Sequence, residues 1–322
     1  MSFRDVQDGR LEPARERRSQ TRRVRFAVLG SLVMVAGVVT ALVLGFAFGS
    51  GSRSSKRTPT LSGRPSTGAA PGSGGAGRPG SATVPILAYH VINVPPSQST
   101  GTPGLYVPAA EFASQMDALK ATGWHAVTLD QLQAYWTRGV ALGPGKPIVI
   151  TFDNGYASQY TNAAPVLRRL GWAGVENLQV NGLPPAEGGL SDAQLRSLIA
   201  AGWELDTQGV SHADPITLDA GQLRYEVTAA RQMLHGRYGV PVNWFSYPDG
   251  HYDATVIAAV RAAGFTGSST VIPGWASPQQ DRFRLPRLQV PAGTSPTALL
   301  SQIAAAEGDA PAPPAYSGPG LA

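Results

Sequence analysis

The stretch Pro147-Ile148-Val149-Ile150-Thr151-Phe152-Asp153-Asn154-Gly155 decides the fold. Its first six residues are apolar or β-branched with no alternation, the pattern of a strand covered on both faces of a parallel sheet. An acid and an Asn-Gly pair follow at once. A charge placed straight after a buried strand needs a partner or a purpose. Asp153 is a favoured helix N-cap residue as well as a candidate for chemistry, and Asn154 suits a turn before Gly155 as well as a ligand contact.

Outward from this strand a junction recurs in which a helical stretch ends in Gly and an aromatic opens the next strand. It occurs at Gly123-Trp124, Gly171-Trp172, Gly202-Trp203 and Gly264-Phe265. Gly ends helices in the left-handed conformation. The spacings are 48, 31 and 62 residues, of which 31 fits one βα unit and 62 its double. The pattern predicts strands at Val84–Tyr89, Ala126–Leu129, Pro147–Phe152, Gly174–Val180, Trp203–Thr207, Trp244–Tyr247, Thr266–Val271 and Leu288–Val290. Between them, Ala109–Thr122, Ser158–Leu170, Asp192–Ala201, Ala220–Tyr238, Ala254–Ala263 and Pro296–Ala306 read as helices. Strands alternating with amphipathic helices give an α/β fold, a TIM-like (β/α) barrel that is complete, incomplete or distorted. Its chemistry is expected where strands end.

The flanks are of another kind. Phe26 to Phe48 is 23 residues without charge or proline. At ~1.5 Å per residue it is about 34 Å of helix, enough to cross a bilayer core of ~30 Å. Eight arginines precede it, so the positive-inside rule keeps residues 1–25 in the cytoplasm and carries the rest across as a single-pass membrane protein. A cleaved signal peptide is the alternative, but the Ala47-Phe48-Gly49 junction matches a small-x-small cleavage site poorly. Residues 49–83 hold one large apolar residue, Leu61, and no acid, and read as a disordered linker. Residues 307–322, with four prolines, read as a disordered tail. One domain, 84–306, remains.

Charge and cysteine content exclude several functions. The chain carries 26 Lys+Arg against 21 Asp+Glu, but residues 1–83 hold 13 of those bases and only 4 of the acids. From residue 84 onward the balance is 13 against 17, so the folded part is mildly acidic and no nucleic-acid partner is expected. Without a single Cys there is no disulfide scaffold, thiolate metal site or thiol nucleophile.

Three strand ends carry polar residues. The first is Thr151-Phe152-Asp153-Asn154-Gly155. The second is Glu204-Leu205-Asp206-Thr207-Gln208-Gly209-Val210-Ser211-His212-Ala213-Asp214, in which Asp206 and Gln208 share a strand face. The third is Phe245-Ser246-Tyr247-Pro248-Asp249-Gly250-His251-Tyr252-Asp253. At these positions the sequence resembles the polysaccharide deacetylase family, the NodB-homology domain of carbohydrate esterase family 4. TFDNG is similar to the family's T-F-D-D-G, WELDTQGVSHADP to its second motif, and FSYPDGHYD to one version of its third. VPILAYHVI and RLPRLQV resemble the family's opening and a late strand, so the resemblance spans about 84–305.

That resemblance implies hydrolytic removal of acetyl groups from N-acetylhexosamine polymers of the cell envelope by an extracytoplasmic domain. It implies a divalent metal, usually zinc, and Asp153 as base. The family's ligands fall on Asn154, Gln208 and His212, so two of three depart from its Asp and His. Neutral amide oxygens are weaker donors that cancel no charge. The family's late His acid has no counterpart, since no His follows 251. His251 is then the candidate acid, Arg287 the candidate partner that orients Asp153, and His90, Tyr247, Asp249 and Asp206 the candidate substrate contacts. A catalytically degenerate, glycan-binding pseudoenzyme is the alternative function.

Overall fold

The computed structural model describes residues 77–96, 103–181 and 188–319. In chain order these form β1 (Val84–Tyr89), α1 (Ala109–Ala121), β2 (Trp124–Val127), α2 (Leu129–Arg138), β3 (Lys146–Asn154), α3 (Ala164–Arg169), β4 (Val175–Leu178) and α4 (Asp192–Ala200). Then come β5 (Glu204–Thr207), α5 (Ala220–Arg224), α6 (Ala230–Tyr238), β6 (Trp244–Ser246), α7 (Ala254–Ala262), β7 (Gly267–Ser269), β8 (Trp275–Ala276), β9 (Leu288–Gln289) and α8 (Pro296–Ala305). The strands make one sheet in the order β7-β6-β5-β4-β3-β1-β8, with β2 on β3 and β9 on β1. All pairings are parallel except β1 with β8.

β3 explains why the sheet is covered on both sides. Ile148, Ile150 and Phe152 cluster with Phe112, Met116 and Leu167 of the flanking helices. Val149 belongs instead to a cluster with Val84, Ile86, Val175 and Trp244. The first cluster is pinned by aromatic rings: Tyr89 meets Phe112 edge-on at 5.1 Å, and Phe152 stacks on Trp203 at 5.1 Å. Burying such a ring removes ~150–250 Å² from water, an upper bound of about 4–6 kcal/mol each.

The architecture is an incomplete form of the expected barrel. A curled sheet runs from β7 to β1, and the segment 285–289 spans the remaining gap. Leu285 bridges to Ser269 at the end of β7, and Leu288 and Gln289 pair with Leu87 and Ala88 of β1. This places Arg287, whose N–H donates to the Ile272 carbonyl at 2.9 Å, between the two sides of the barrel.

Two expectations need correction. The strand expected at Ala126–Leu129 is β2, Trp124–Val127, and Thr128 starts a helix instead. Thr128 and Gln131 form a capping box, and α2 buries Leu129, Leu132 and Trp136 against Val84, Val149 and Trp244. The second correction concerns the tail. Residues 309–319 lie against the domain: Tyr316 and Tyr252 exchange backbone hydrogen bonds at 2.8 and 2.9 Å, and Ala312 is buried. Prolines 311, 313, 314 and 319 suppress internal hydrogen bonding, but the freed carbonyls accept from the domain's side chains.

No helix among the described residues is long and apolar enough to cross a membrane. The proposed span 26–48, the cytoplasmic segment 1–25 and nearly all of the linker 49–83 lie outside the described residues.

Candidate functional site

Asp153 and Asn154 end β3, in register with Asn177 and Leu178 of β4. The turn that follows requires its glycine: Gly155 has φ 94°, and a Cβ there would run into the buried Leu178 side chain. Asn154 is itself left-handed, at φ 75°.

The Asp153 carboxylate is 1% exposed and almost fully engaged. Arg287 holds it bidentately, Nη1 to Oδ1 at 2.7 Å and Nη2 to Oδ2 at 2.8 Å. Asn177 donates to Oδ1 at 2.8 Å, and the Gln208 amide lies 3.5 Å from Oδ2. Arg287 is fixed in turn by donating Nε–H to the Thr270 carbonyl at 2.9 Å and Nη1–H to Thr151 Oγ1 at 3.1 Å. His90, at the end of β1, brings Nε2 to 3.9 Å from Asp153 Oδ2. Gln159 ties the two strand ends together, donating to the backbone carbonyls of His90 at 2.9 Å and Asp153 at 2.8 Å.

The electrostatics follow from this packing. Burial works to raise the Asp153 pKa, but the Arg287 charge and hydrogen bonds, with help from His90 and Asn177, hold it below the ordinary value. Asp153 is therefore ionised. Burial lowers the His90 pKa to about 4, with Asp153 opposing the shift and Arg287 and His212 adding to it, so the imidazole is neutral at neutral pH.

Of the expected metal positions, Asn154 and Gln208 are buried and His212 is partly exposed in a left-handed turn with φ 60°. The loop that carries His212 is anchored by Glu226, which accepts from the Val210 and Ser211 N–H groups at 2.8 and 2.9 Å and from the Ser211 hydroxyl at 2.6 Å. The fit to a divalent metal is decided by the amides. Gln208 Oε1 accepts from the Asn154 N–H at 3.1 Å, and its amide nitrogen is directed at Asp153. Asn154 donates its amide to Gln179 Oε1 at 3.3 Å. The Gln208 carbonyl is thus in use, neither amide brings charge, and His212 is the one ordinary zinc donor of the three. No group of three or more His, Asp or Glu among the described residues is arranged to hold a metal ion. The residues do not fit a zinc site of the expected kind.

The other expected site residues divide sharply. Tyr247 is fully buried and donates its hydroxyl to the Phe283 carbonyl at 2.9 Å, so it cannot touch substrate. Asp206 is also fully buried, with Oδ1 accepting from the Asn243 and Trp244 N–H groups at 2.9 and 2.8 Å. Asp206 lies in the same row of the sheet as Asp153, one strand beyond Asn177, and its carboxylate is taken up by those backbone groups. Asp249 sits partly exposed in a left-handed turn, φ 53°, after β6. His251 is not free to act as an acid: its Nε2 lies 2.7 Å from the Gly318 carbonyl, and its Nδ1 lies 3.0 Å from Asp214 Oδ2.

Sequence reading missed Asn177, Gln179 and Glu226, which position the site. It also missed Glu176, 1% exposed, whose two carboxyl oxygens find no hydrogen-bond partner among the described residues. Burial, and then the Asp153 charge, pushes its pKa well up. The available signal lay in β4: in Glu176-Asn177-Leu178-Gln179, Asn177 and Gln179 alternate onto one face beside Asp153.

Residues 142–268 match the family profile described as "Polysaccharide deacetylase". A Bacillus subtilis protein named "Putative polysaccharide deacetylase YxkH" is 27% identical over 222 residues, 69% of this chain and 76% of that one. A crystal structure of a polysaccharide deacetylase from Bacillus cereus superposes with TM-score 0.60 at 25% identity, over 69% of each chain. The Streptococcus pyogenes deacetylase PplD, solved with acetate, gives TM-score 0.64 at 21% identity over 70% of this chain and 99% of that one, a likeness of fold.

Proposed function

We propose, from the match of residues 142–268 to the polysaccharide deacetylase profile, that the chain is a member of that family and that the domain hydrolyses acetyl groups from an N-acetylhexosamine-containing glycan of the cell envelope. In this reading residues 26–48 span the membrane, residues 1–25 stay in the cytoplasm, and 49–83 let the domain reach the glycan outside. The observation that carries the proposal is the ionised Asp153, clamped by Arg287 at the ends of the strands with His90 beside it.

Oδ1 already accepts two hydrogen bonds and Oδ2 one short one, so Oδ2 is the oxygen with a lone pair to spare. A water there can add its oxygen to the acetyl carbonyl carbon while its proton passes to Asp153. When the C–N bond breaks, the departing nitrogen needs a proton back. His90, neutral and 3.9 Å from Oδ2, would relay it through one bridging water. Acetate and the free amine result. No step is assigned to a metal, because the amides at 154 and 208 do not form the site for one.

A second reading, a glycan-binding module without turnover, is favoured by one observation, the Gln208 amide turned onto Asp153. The experiment that separates them is acetate release from N-acetylated glycan by the full chain and its Asp153→Asn variant. The hydrolase reading expects release that the variant lowers by about 10²–10⁴-fold. Glycan retention with no acetate from either protein supports the second reading.

A further inference from the structure

The residue expected to be a proton donor in catalysis is tied into a different arrangement. His251 stands at the end of the Pro248–Gly250 turn after β6, and both of its ring nitrogens face acceptors. Nε2 is hydrogen-bonded at 2.7 Å to the carbonyl of Gly318 in the C-terminal segment, while Nδ1 is 3.0 Å from the Asp214 carboxylate, on the loop after β5, within ion-pair range but out of line for a hydrogen bond. A neutral imidazole can keep its one N–H on Nε2 for the Gly318 carbonyl, but it then turns the Nδ1 lone pair on the Asp214 carboxylate. The imidazolium makes the Gly318 bond charge-assisted and sets an opposite charge beside Asp214.

We propose that His251 is a pH-dependent latch: its imidazolium holds the C-terminal strap, residues 309–319, across the rim of the barrel, and loss of its proton weakens that hold. The strap's other fastenings do not titrate near neutrality. They are the paired backbone bonds of Tyr316 with Tyr252, the Tyr252 hydroxyl to the Pro313 carbonyl at 2.8 Å, and Arg284 Nη1 to the Ala312 carbonyl at 3.0 Å. The strap also has a shape requirement. A Cβ on Gly318 would stand 2.8 Å from the Tyr316 ring, so the glycine lets that ring lie close over the turn that presents the carbonyl to His251.

The groups facing His251 are of one sign. Asp214 comes from the β5 loop and Asp249 from its own turn, while the strap contributes the Tyr316 ring at 6.2 Å and the Gly318 carbonyl. Burial alone lowers the His251 pKa, but the Gly318 carbonyl, Asp214 and Asp249 together hold it above its ordinary value. A folded pKa raised in this way gives a contribution that is complete below the unfolded value, ~6.5, and is lost as pH rises through the folded one. The strap is therefore fastened in acid and loosened in mild alkali. Its release would uncover Asp214 and His251 at the strand-end face that carries Asp153. The latch does not depend on whether the domain hydrolyses anything.

The test is hydrogen exchange of the C-terminal peptide in the full chain, measured from pH 5 to pH 9 and corrected for the intrinsic pH dependence of exchange. Protection of the Tyr316 amide is expected to fall by up to about tenfold per pH unit between the unfolded and folded His251 pKa values, while amides of β3 keep theirs. His251→Gln, which has one donor group and no titration, is expected to make the strap's protection independent of pH. Asp214→Asn keeps an acceptor for the Ile216 N–H and is expected to move the midpoint to lower pH. Corrected protection in the wild type that does not change with pH, or a pH dependence that survives in His251→Gln, overturns the proposal.

Discussion

Replacing Arg287 with Met tests what the buried ion pair does. The guanidinium makes four hydrogen bonds, two of them to Asp153, and the variant leaves that carboxylate at 1% exposure with Asn177 as its one close partner. Breaking a buried pair from one side costs about 3–5 kcal/mol, because the remaining charge is buried and uncompensated. For a domain of this size ~1 kcal/mol moves Tm by about 2–4 °C, so a fall of roughly 6–20 °C is expected. The double variant Arg287→Met with Asp153→Asn removes the stranded charge and is expected to regain at least about 2 kcal/mol over the single one. The pH dependence has a definite sign. In the wild type the Asp153 pKa lies below its unfolded value, so its contribution is present above ~3.9 and is lost as pH falls through the folded value. In Arg287→Met burial prevails and raises that pKa, so the deficit shrinks on acidification. Denaturant melts of the three proteins at several pH values provide the measurement. A single variant within about 1 kcal/mol of wild type, or a double variant no more stable than the single, would refute the reasoning.

Other outcomes follow from the same structure. Joint substitution Asn154→Asp and Gln208→His is expected to raise zinc affinity by orders of magnitude in calorimetry; unchanged affinity would show that these are not the ligand positions. Within the barrel, burial raises the Glu204 pKa to about 7, and burial with the Glu204 charge raises that of Asp206 well above its ordinary value. Folded acids with raised pKa values bind protons more tightly than the unfolded chain does. Their contribution is greatest near pH 4 and declines toward pH 7, and Glu204→Gln is expected to flatten that slope in denaturant melts. Glu176→Met, which removes two unpartnered buried oxygens, is expected to raise stability by about 1–3 kcal/mol; destabilisation would reveal an unseen partner.

The parts of the fold that were legible in the sequence are those set by local chemistry. The run Ile148–Phe152 is uniformly apolar or β-branched because helices cover one face of β3 and the barrel interior covers the other. The Gly-aromatic junctions mark helix ends because left-handed glycines do stand at 123, 171, 202 and 264. α2 was legible but unread: Thr128 and Gln131 spell a capping box, Leu129, Leu132 and Trp136 share a face, and Gly139 caps the end. What the sequence withheld depends on the third dimension. Pairing of Arg287 with Asp153 across 134 positions was suggested by resemblance, but its bidentate geometry depends on how 285–289 closes the barrel. Tyr247 and Asp206 look like site residues because they stand in the motifs, yet the Phe283 carbonyl takes up one and the Asn243 and Trp244 N–H groups the other, which makes both buried scaffolding. The proline-rich tail looked disordered because composition says nothing of the carbonyls that Arg284, Tyr252 and His251 take up.

The most direct test of the account is acetate release from an N-acetylglucosamine polymer by the full chain, first stripped of metal by chelation and then with zinc restored. The account predicts turnover that survives chelation, is unchanged by zinc, and falls by about 10²–10⁴-fold in Asp153→Asn. Turnover abolished by the chelator and recovered with one zinc per chain would contradict it, as would equal release by the variant.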